Sequence, residues 1–414
     1  MRNHLEIISL YGIQVLNGLY PLLVFPFLLQ QYGYDHYSDF VKAEVFSIFV
    51  LIFVLWGFEI DSVRRLRNIR YERSLGRSLI FFNTLYARFL FWIVSLILSC
   101  LFCYIFFDLK FIIMVVGWLF YPLSIAIFST YYFLVYKLSF EVFIAMFIGR
   151  VISLVLLFSL DSGIDLMYIS YVISVPLLIV AFCFILLMVY LDKIRYIPFD
   201  FARVRGSIFA SWLSFKDSLS VLFLKEFNIP IISLASSSSE IISLYSMLDK
   251  LLRAAAAMMR PVSQYLMPSV MRSMYTSGWI FNYKFKRVFL IGFSLVALGS
   301  IACVFFPFGL IVGDELLRKY SFNIIMSILV FTLLFGYLNY FFLIYSSIVG
   351  GYFFVVSVLF SGLIGSVALY YLVLNLQLEG MVLALFIPEF LLCFICLFYL
   401  LLKDRKLGGD SSAR

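Results

Sequence analysis

The stretch Leu166–Tyr190 reads LMYISYVISVPLLIVAFCFILLMVY and contains no charged side chain. A helix of about 20 predominantly apolar residues is long enough to cross a lipid bilayer. Apolar runs of this kind recur along the whole chain, in which hydrophobic residues make up 64% and charged residues only 13%. No polar stretch is long enough to form a soluble domain. We therefore expect an all-α integral membrane protein.

The hydropathy pattern predicts twelve transmembrane helices. Their expected bounds are residues 7–30, 40–60, 79–107, 111–135, 142–160, 166–190, 207–234, 240–261, 285–312, 321–346, 352–374 and 380–402. Connections rich in Lys and Arg alternate with short connections that are poor in them. The basic stretches are residues 64–77, 193–205, 272–287 and 403–406. By the positive-inside rule, this alternation predicts that both termini are cytoplasmic.

The two halves of the chain show a short internal similarity. Tyr37 and Ser38, followed by Lys42, match Tyr245 and Ser246, followed by Lys250. Six helices in each half would give a parallel repeat about an axis along the membrane normal. We predict an N-terminal lobe of residues 1–195 and a C-terminal lobe of residues 196–414, although so short a similarity can also arise by chance.

Charged side chains interrupt the apolar pattern of the seventh and eighth spans. Between positions 216 and 260 they are Lys216, Asp217, Lys225, Glu226, Glu240, Asp249, Lys250, Arg253 and Arg260. A charge at the centre of a transmembrane helix costs about 2.5–3.5 kcal/mol on insertion scales, so such residues face a wet interior and usually have a function. They are the first candidates for a binding site.

On a continuous helix these residues fall on one face of each span. The polar face of the seventh span comprises Ser214, Asp217, Ser218, Ser220, Lys225 and Asn228, with Lys216 and Glu226 outside it. That of the eighth comprises Ser246, Asp249, Lys250, Arg253 and Arg260. Basic groups exceed acidic ones, which favours an anionic guest. The alternative is a set of structural ion pairs, for which Asp249 and Arg253 have the i, i+4 spacing.

Other polar residues within apolar spans are further candidates. Lys42 and Arg260 could line the cavity or anchor helix ends at the membrane surface, and Arg150 could line the cavity or form a buried pair. Gln14 and Asn17 give the first span a small polar face. The carboxylates that could couple transport to an ion are Asp217, Asp249 and Glu389.

No catalytic or metal-binding pattern is visible. The two histidines, His4 and His36, are too few and too isolated for a zinc or haem site, and no cofactor is expected. The loop aspartates could in principle serve a membrane glycosyltransferase; they are Asp35, Asp39, Asp161 and Asp165. Such enzymes usually need larger outer loops than the predicted ones.

Two motifs carry a resemblance to a known family. Residues 243–268, SLYSMLDKLLRAAAAMMRPVSQYLMP, resemble the eighth-helix signature of Wzx-type O-antigen flippases. These belong to the polysaccharide exporter branch of the MATE-like (MOP) flippase superfamily. Residues 56–65, WGFEIDSVRR, resemble the end of the second helix in that family.

The resemblance implies two six-helix lobes around a central cavity lined chiefly by the first, second, seventh and eighth helices. It implies a flippase, not an enzyme, in the bacterial inner membrane. The substrate would be an undecaprenyl-diphosphate-linked oligosaccharide of lipopolysaccharide biosynthesis, moved from the cytoplasmic to the periplasmic leaflet by alternating access. The cations would hold the diphosphate. Membrane lipids and other polysaccharide-assembly membrane proteins would be partners, and no nucleic acid is expected.

Three alternatives remain open from the sequence. A MATE-like exporter of drugs or cations would favour an acidic or apolar cavity. A membrane polysaccharide polymerase or glycosyltransferase is disfavoured by the short outer loops. A channel would require a repeated filter-like segment, and none is visible.

Overall fold

The computed structural model describes residues 2–67, 74–136, 138–160, 164–191, 194–236, 238–256, 290, 293–294, 298, 322–349 and 353–411. Within these residues all regular secondary structure is helical, and no strand occurs. The expected all-α class is confirmed to that extent. Most of the predicted ninth span, 285–312, lies outside the described residues.

The first two predicted spans form one kinked helix, α1, from Arg2 to Leu55. The kink is at Gly33 (φ 77°, ψ 176°), and a residue without a Cβ adopts such a positive φ without steric cost. Two helices therefore meet at Gly33, as the two predicted spans require, and the break lies two residues before the predicted connection 35–39. The last two predicted spans lie in one helical range, Phe353–Ser411, which consists of two helices that meet at Gln377 (φ 48°, ψ −120°), within the predicted connection 375–379.

The second span ends earlier than predicted, at Leu55. Trp56 and Gly57 both have positive φ, and a separate helix, α2, follows from Phe58 to Arg67. The next helices are α3 (Ser74–Phe106), α4 (Leu109–Phe128), α5 (Thr130–Val135), α6 (Ser139–Ser159) and α7 (Leu166–Leu191). The Asp108 carboxylate accepts a hydrogen bond from the Phe111 N–H at 3.0 Å and so caps α4.

The predicted seventh span, 207–234, is two helices. They are α8 (Phe201–Lys225) and α9 (Asn228–Ala235). Pro230 explains the interruption, because its nitrogen cannot donate to the Glu226 carbonyl and its ring would clash with that group in a continuous helix. The remaining described helices are α10 (239–256), α11 (Phe322–Val349) and α12 (Phe353–Ser411).

Five helical stretches of the described chain are long and apolar enough to cross a membrane. They are Leu75–Phe106, Leu109–Phe133, Ser139–Ser159, Leu166–Leu191 and Phe353–Tyr399. The last has 47 residues and contains two of the predicted spans. The total of twelve spans stays a prediction.

The chain divides into two compact units. The first contains Met1–Leu16 and Phe27–Leu222, and the second contains Asn17–Pro26 and Phe223–Arg414. Aromatic side chains dominate the core of the first unit, where Phe81, Phe128, Tyr132 and Phe133 are fully buried. This division follows packing and does not test the predicted repeat of lobes 1–195 and 196–414.

Candidate functional site

Arg253 lies in a group of charges within the second unit. Its Nη1 and Nη2 donate to the two carboxylate oxygens of Glu226 at 2.6 and 2.9 Å, and its Nε donates to Asp249 Oδ2 at 2.7 Å. Glu226 reaches Arg253 because the chain leaves helical geometry between α8 and α9. The prediction that Glu226 lies outside the polar face of the seventh span was wrong, because it assumed one continuous helix over residues 207–234. The ion pair between Asp249 and Arg253, which their i, i+4 spacing suggested, is present.

Lys225, the last residue of α8, has a different environment. Its Nζ lies 3.5 Å from Glu389 Oε1, and its side chain is 46% exposed, against 12% for Glu389. Asn339 of α11 donates from Nδ2 to Glu389 Oε2 at 2.6 Å and to the Glu389 backbone carbonyl at 2.8 Å. Asn339 was not a candidate from the sequence, although it is a buried amide in an otherwise apolar helix.

Lys250 is another cation of the second unit. Its Nζ donates to Ser246 Oγ at 2.7 Å and lies 3.8 Å from the centroid of the Phe25 ring. An ammonium this close to an aromatic face is attracted by the ring quadrupole. Asn17 is on the same segment of α1 as Phe25, and its Oδ1 is buried without a hydrogen-bond partner.

Six described charged residues of the second unit are considered together, and three of them carry each sign. Lys225, Lys250 and Arg253 are accompanied by three carboxylates, those of Glu226, Asp249 and Glu389. The expected excess of basic over acidic groups also counted Asp217 and Arg260, whose side chains lie outside the described ones, so it stays a prediction.

The candidates of the first unit have local partners. Lys42 pairs with Asp39 at 2.8 Å, and Arg150 is buried with its guanidinium 5.4 Å from the centroid of the Tyr121 ring. Ser218 donates to the Ser214 carbonyl of its own helix at 3.3 Å.

Gln14 is partly buried, as is Asn228 in the second unit. Arg260 and the side chain of Asp217 lie outside the described residues.

A fully buried arginine, Arg88, was missed by the sequence analysis. Its Nη1 donates to the Ala126 carbonyl at 3.3 Å, its Nη2 is 3.7 Å from Glu59 Oε1, and its guanidinium is 4.9 Å from the Tyr131 ring centroid. An arginine within the apolar run 79–107 was the available signal.

No group of three or more possible metal ligands occurs in the described part of the chain.

Comparison with solved structures identifies the architecture. A MATE protein crystallised in complex with MaL6 superposes with a TM-score of 0.63 at 14% identity, covering 99% of this chain and 96% of the other. The chain has the MATE fold. An outward-facing multidrug resistance MATE family transporter of the MOP superfamily gives a TM-score of 0.56 at 12% identity, with the same coverage. A MATE P26A mutant gives 0.58 at 13% identity.

The MATE-like architecture expected from the sequence is thereby confirmed at the level of the fold. No protein-family model matches the chain, and a comparison with curated protein sequences finds no match. At identities of 12–14% the structural similarity defines the fold and leaves the substrate open.

Proposed function

We propose that this chain is a membrane transporter that flips an undecaprenyl-diphosphate-linked O-antigen oligosaccharide from the cytoplasmic to the periplasmic leaflet of the bacterial inner membrane by alternating access. The MATE fold and the long apolar helices support a membrane transporter. The resemblance of residues 243–268 and 56–65 to O-antigen flippases supports the lipid-linked glycan as the substrate. Both termini would be cytoplasmic, and surrounding lipids and polysaccharide-assembly proteins would be partners.

The observation that carries the substrate proposal is the accessibility of Lys225. Its side chain is 46% exposed within a segment predicted to cross the membrane. Ionisable groups at such positions are costly and therefore usually functional. The 3.5 Å separation from Glu389 is longer than a good charge-assisted hydrogen bond, which is about 2.7–2.9 Å. A diphosphate oxygen can approach the ammonium more closely.

The other cations have unequal roles in this proposal. Lys250 joins Lys225 as a diphosphate ligand, because it is a cation in a segment predicted to cross the membrane and lies in the same compact unit as Lys225. Arg253 has a structural role, because two carboxylates already accept hydrogen bonds from it. Lys42, Arg150 and Arg260 remain predictions from the sequence as substrate-binding residues.

Polar side chains of the predicted spans would contact the sugars. Those predicted from the sequence are Gln14, Asn17, Ser214, Ser218, Asn228 and Ser246. The carboxylates proposed to couple the cycle to an ion are Asp217, Asp249 and Glu389. A carboxylate that exchanges a proton or cation during the cycle would change the local charge when the substrate binds or leaves.

One observation favours a second function, export of a drug or cation. Glu226, Asp249 and Glu389 equal the neighbouring cations in number, so the site is not strongly anion-selecting. A cationic substrate would compete with Lys225 for Glu389.

A transport assay distinguishes the two functions. The purified protein is reconstituted into proteoliposomes, and outward movement of a fluorescent undecaprenyl-diphosphate-linked oligosaccharide is measured beside that of a cationic dye. Loss of one charge-assisted contact costs about 1.5–3 kcal/mol, so Lys225→Ala and Lys250→Ala should each reduce glycan transport about 10- to 100-fold.

The matched control is Arg203→Ala, which removes an exposed cation paired with Asp200 and should leave transport unchanged. Transport of the dye but not of the glycan by the wild-type protein would favour the exporter. Normal glycan transport by both folded lysine variants would refute the cationic site.

A further inference from the structure

We infer that Glu389 is an internal competitor for the substrate: its carboxylate is the partner of Lys225 in the empty transporter, and the anionic guest must replace it as that partner. Asn339 is the positioning residue that keeps Glu389 in place. This inference rests on the proposed function, in which Lys225 binds the diphosphate. It adds that the site selects guests carrying more negative charge than a single carboxylate.

The two oxygens of Glu389 have different partners. Oε2 accepts a hydrogen bond from Asn339 Nδ2 at 2.6 Å, whereas Oε1 faces Lys225 Nζ at 3.5 Å. The carboxylate is nearly buried, while the lysine side chain is about half exposed. The lysine can therefore turn toward a guest, and the carboxylate stays where it is.

The surroundings of Glu389 hold it in position. Asn339 also donates to the Glu389 backbone carbonyl at 2.8 Å, so one amide fixes both the side chain and the main chain. Gly336 is one turn before Asn339 on α11, and a Cβ built there would lie 3.7 Å from the Glu389 carboxylate. Pro388 packs so closely on Gly365 that a Cβ at residue 365 would lie 2.8 Å from the proline ring.

Among the described residues, Lys225 has one carboxylate partner, Glu389. Glu226, its neighbour in the chain, gives both carboxylate oxygens to Arg253. Glu389 is thus the ion-pair partner of Lys225 in the described structure. A guest with one negative charge would replace one singly charged partner of Lys225 by another and would gain little binding free energy. A diphosphate brings more than one charge and gains the difference in Coulomb energy.

The test is a binding measurement on the full-length protein in lipid nanodiscs. The probes are undecaprenyl diphosphate and undecaprenyl monophosphate. An exposed or half-exposed ion pair is worth little, so Glu389→Gln should tighten diphosphate binding about 2- to 5-fold. It should tighten monophosphate binding by a similar factor, because both probes are relieved of the same competing ion pair. Lys225→Ala should weaken binding, and adding Glu389→Gln to it should bring no gain.

Two further variants keep the test decisive. Glu389→Asp withdraws the carboxylate from Lys225 by one methylene and should act in the same direction if the Gln variant does not fold. Glu379→Gln, which removes another carboxylate from α12, is the matched control and should bind both probes as the wild type does.

The outcomes separate the two claims. If Lys225→Ala weakens binding but the folded Glu389 variants bind no more tightly than the wild type, the internal competitor is refuted and the proposed function stands. If Lys225→Ala binds the diphosphate normally, the proposed role of Lys225 as a diphosphate ligand fails, and the inference fails with it. Tighter binding by both Glu389 variants, lost without Lys225, supports the inference.

Discussion

Arg253 and Glu226 form a two-point ion pair, in which Nη1 and Nη2 of the guanidinium bind Oε1 and Oε2 of the carboxylate at 2.6 and 2.9 Å. The pair joins α10 to the residue that follows α8, and it is reinforced by the bond from Arg253 Nε to Asp249. It therefore stabilises the interruption between α8 and α9 and places Lys225 immediately before it.

Removal of Arg253 should destabilise the protein. Arg253→Ala leaves the Glu226 and Asp249 carboxylates close together without their shared cation. Breaking a buried pair costs about 3–5 kcal/mol, and because Arg253 is 39% exposed we expect a smaller loss of about 1–3 kcal/mol. Arg253→Lys should recover only part of it, because an ammonium lacks the planar fork. Thermal unfolding of the purified protein in detergent measures both.

The control for this prediction is Arg203→Ala, whose exposed pair with Asp200 should contribute less than about 1 kcal/mol. An Arg253→Ala variant that unfolds like the wild type but no longer binds the lipid diphosphate would show that Arg253 is a substrate ligand after all.

Replacement of Arg88 should also be strongly destabilising. Its side chain is fully buried between the Tyr131 ring, the Ala126 carbonyl and Glu59, at the junction of α4 and α5. We expect Arg88→Ala to lower the free energy of unfolding by about 3–5 kcal/mol, because it leaves a void and removes the cation near the last carbonyls of α4. Arg205→Ala, an exposed arginine over the Phe209 ring, is the matched control. Equal melting temperatures of the two variants would contradict this role.

Gly57 should tolerate substitution less well than Gly33. Both have positive φ, at 68° and 77°, but a Cβ at Gly57 would lie 2.7 Å from the Phe215 nitrogen, whereas nothing lies within 4 Å of one at Gly33. We expect Gly33→Ala to cost about 1–3 kcal/mol from backbone strain alone, because φ 77° with ψ 176° is adopted essentially only by glycine. Gly57→Ala adds an overlap with the α8 backbone and should cost about 2–4 kcal/mol.

The two glycine variants are compared by yield of monodisperse protein and by melting temperature. Gly206→Ala is a useful reference, because Gly206 is within α8 with nothing within 4 Å of an added Cβ, and the change should be neutral or slightly stabilising. Equal losses at Gly57 and Gly33 would mean that the contact with α8 contributes nothing.

The predicted topology is testable with reporter fusions. If both termini are cytoplasmic, a fluorescent protein fused after residue 414 should mature, and alkaline phosphatase fused there should be inactive. Alkaline phosphatase fused within the predicted outer connection 313–320 should be active. The reverse pattern would invalidate the orientation, and activity at both positions would invalidate the odd number of spans, three, predicted between them.

Hydropathy alone predicted the helical class and most helix bounds, because long apolar segments must satisfy their backbone hydrogen bonds internally in lipid. The span predicted at 166–190 is observed as Leu166–Leu191, and that at 142–160 as Ser139–Ser159. The resemblance of residues 56–65 and 243–268 to a known family predicted the MATE fold. Lys225, Lys250 and Arg253 stood out from the sequence because each is a charge in an apolar segment.

The sequence could not assign partners to those charges, because partners depend on contacts between residues far apart in the chain. The hydropathy pattern predicted one helix over residues 207–234, and on that helix Glu226 lies outside the polar face. The sequence therefore gave no reason to pair Glu226 with Arg253. It also gave no reason to join Asn339 and Glu389, which are 50 positions apart. Only the tertiary structure brings α8, α11 and α12 to the same group of atoms. Burial then decides which charges are paired and which, like Lys225, remain accessible.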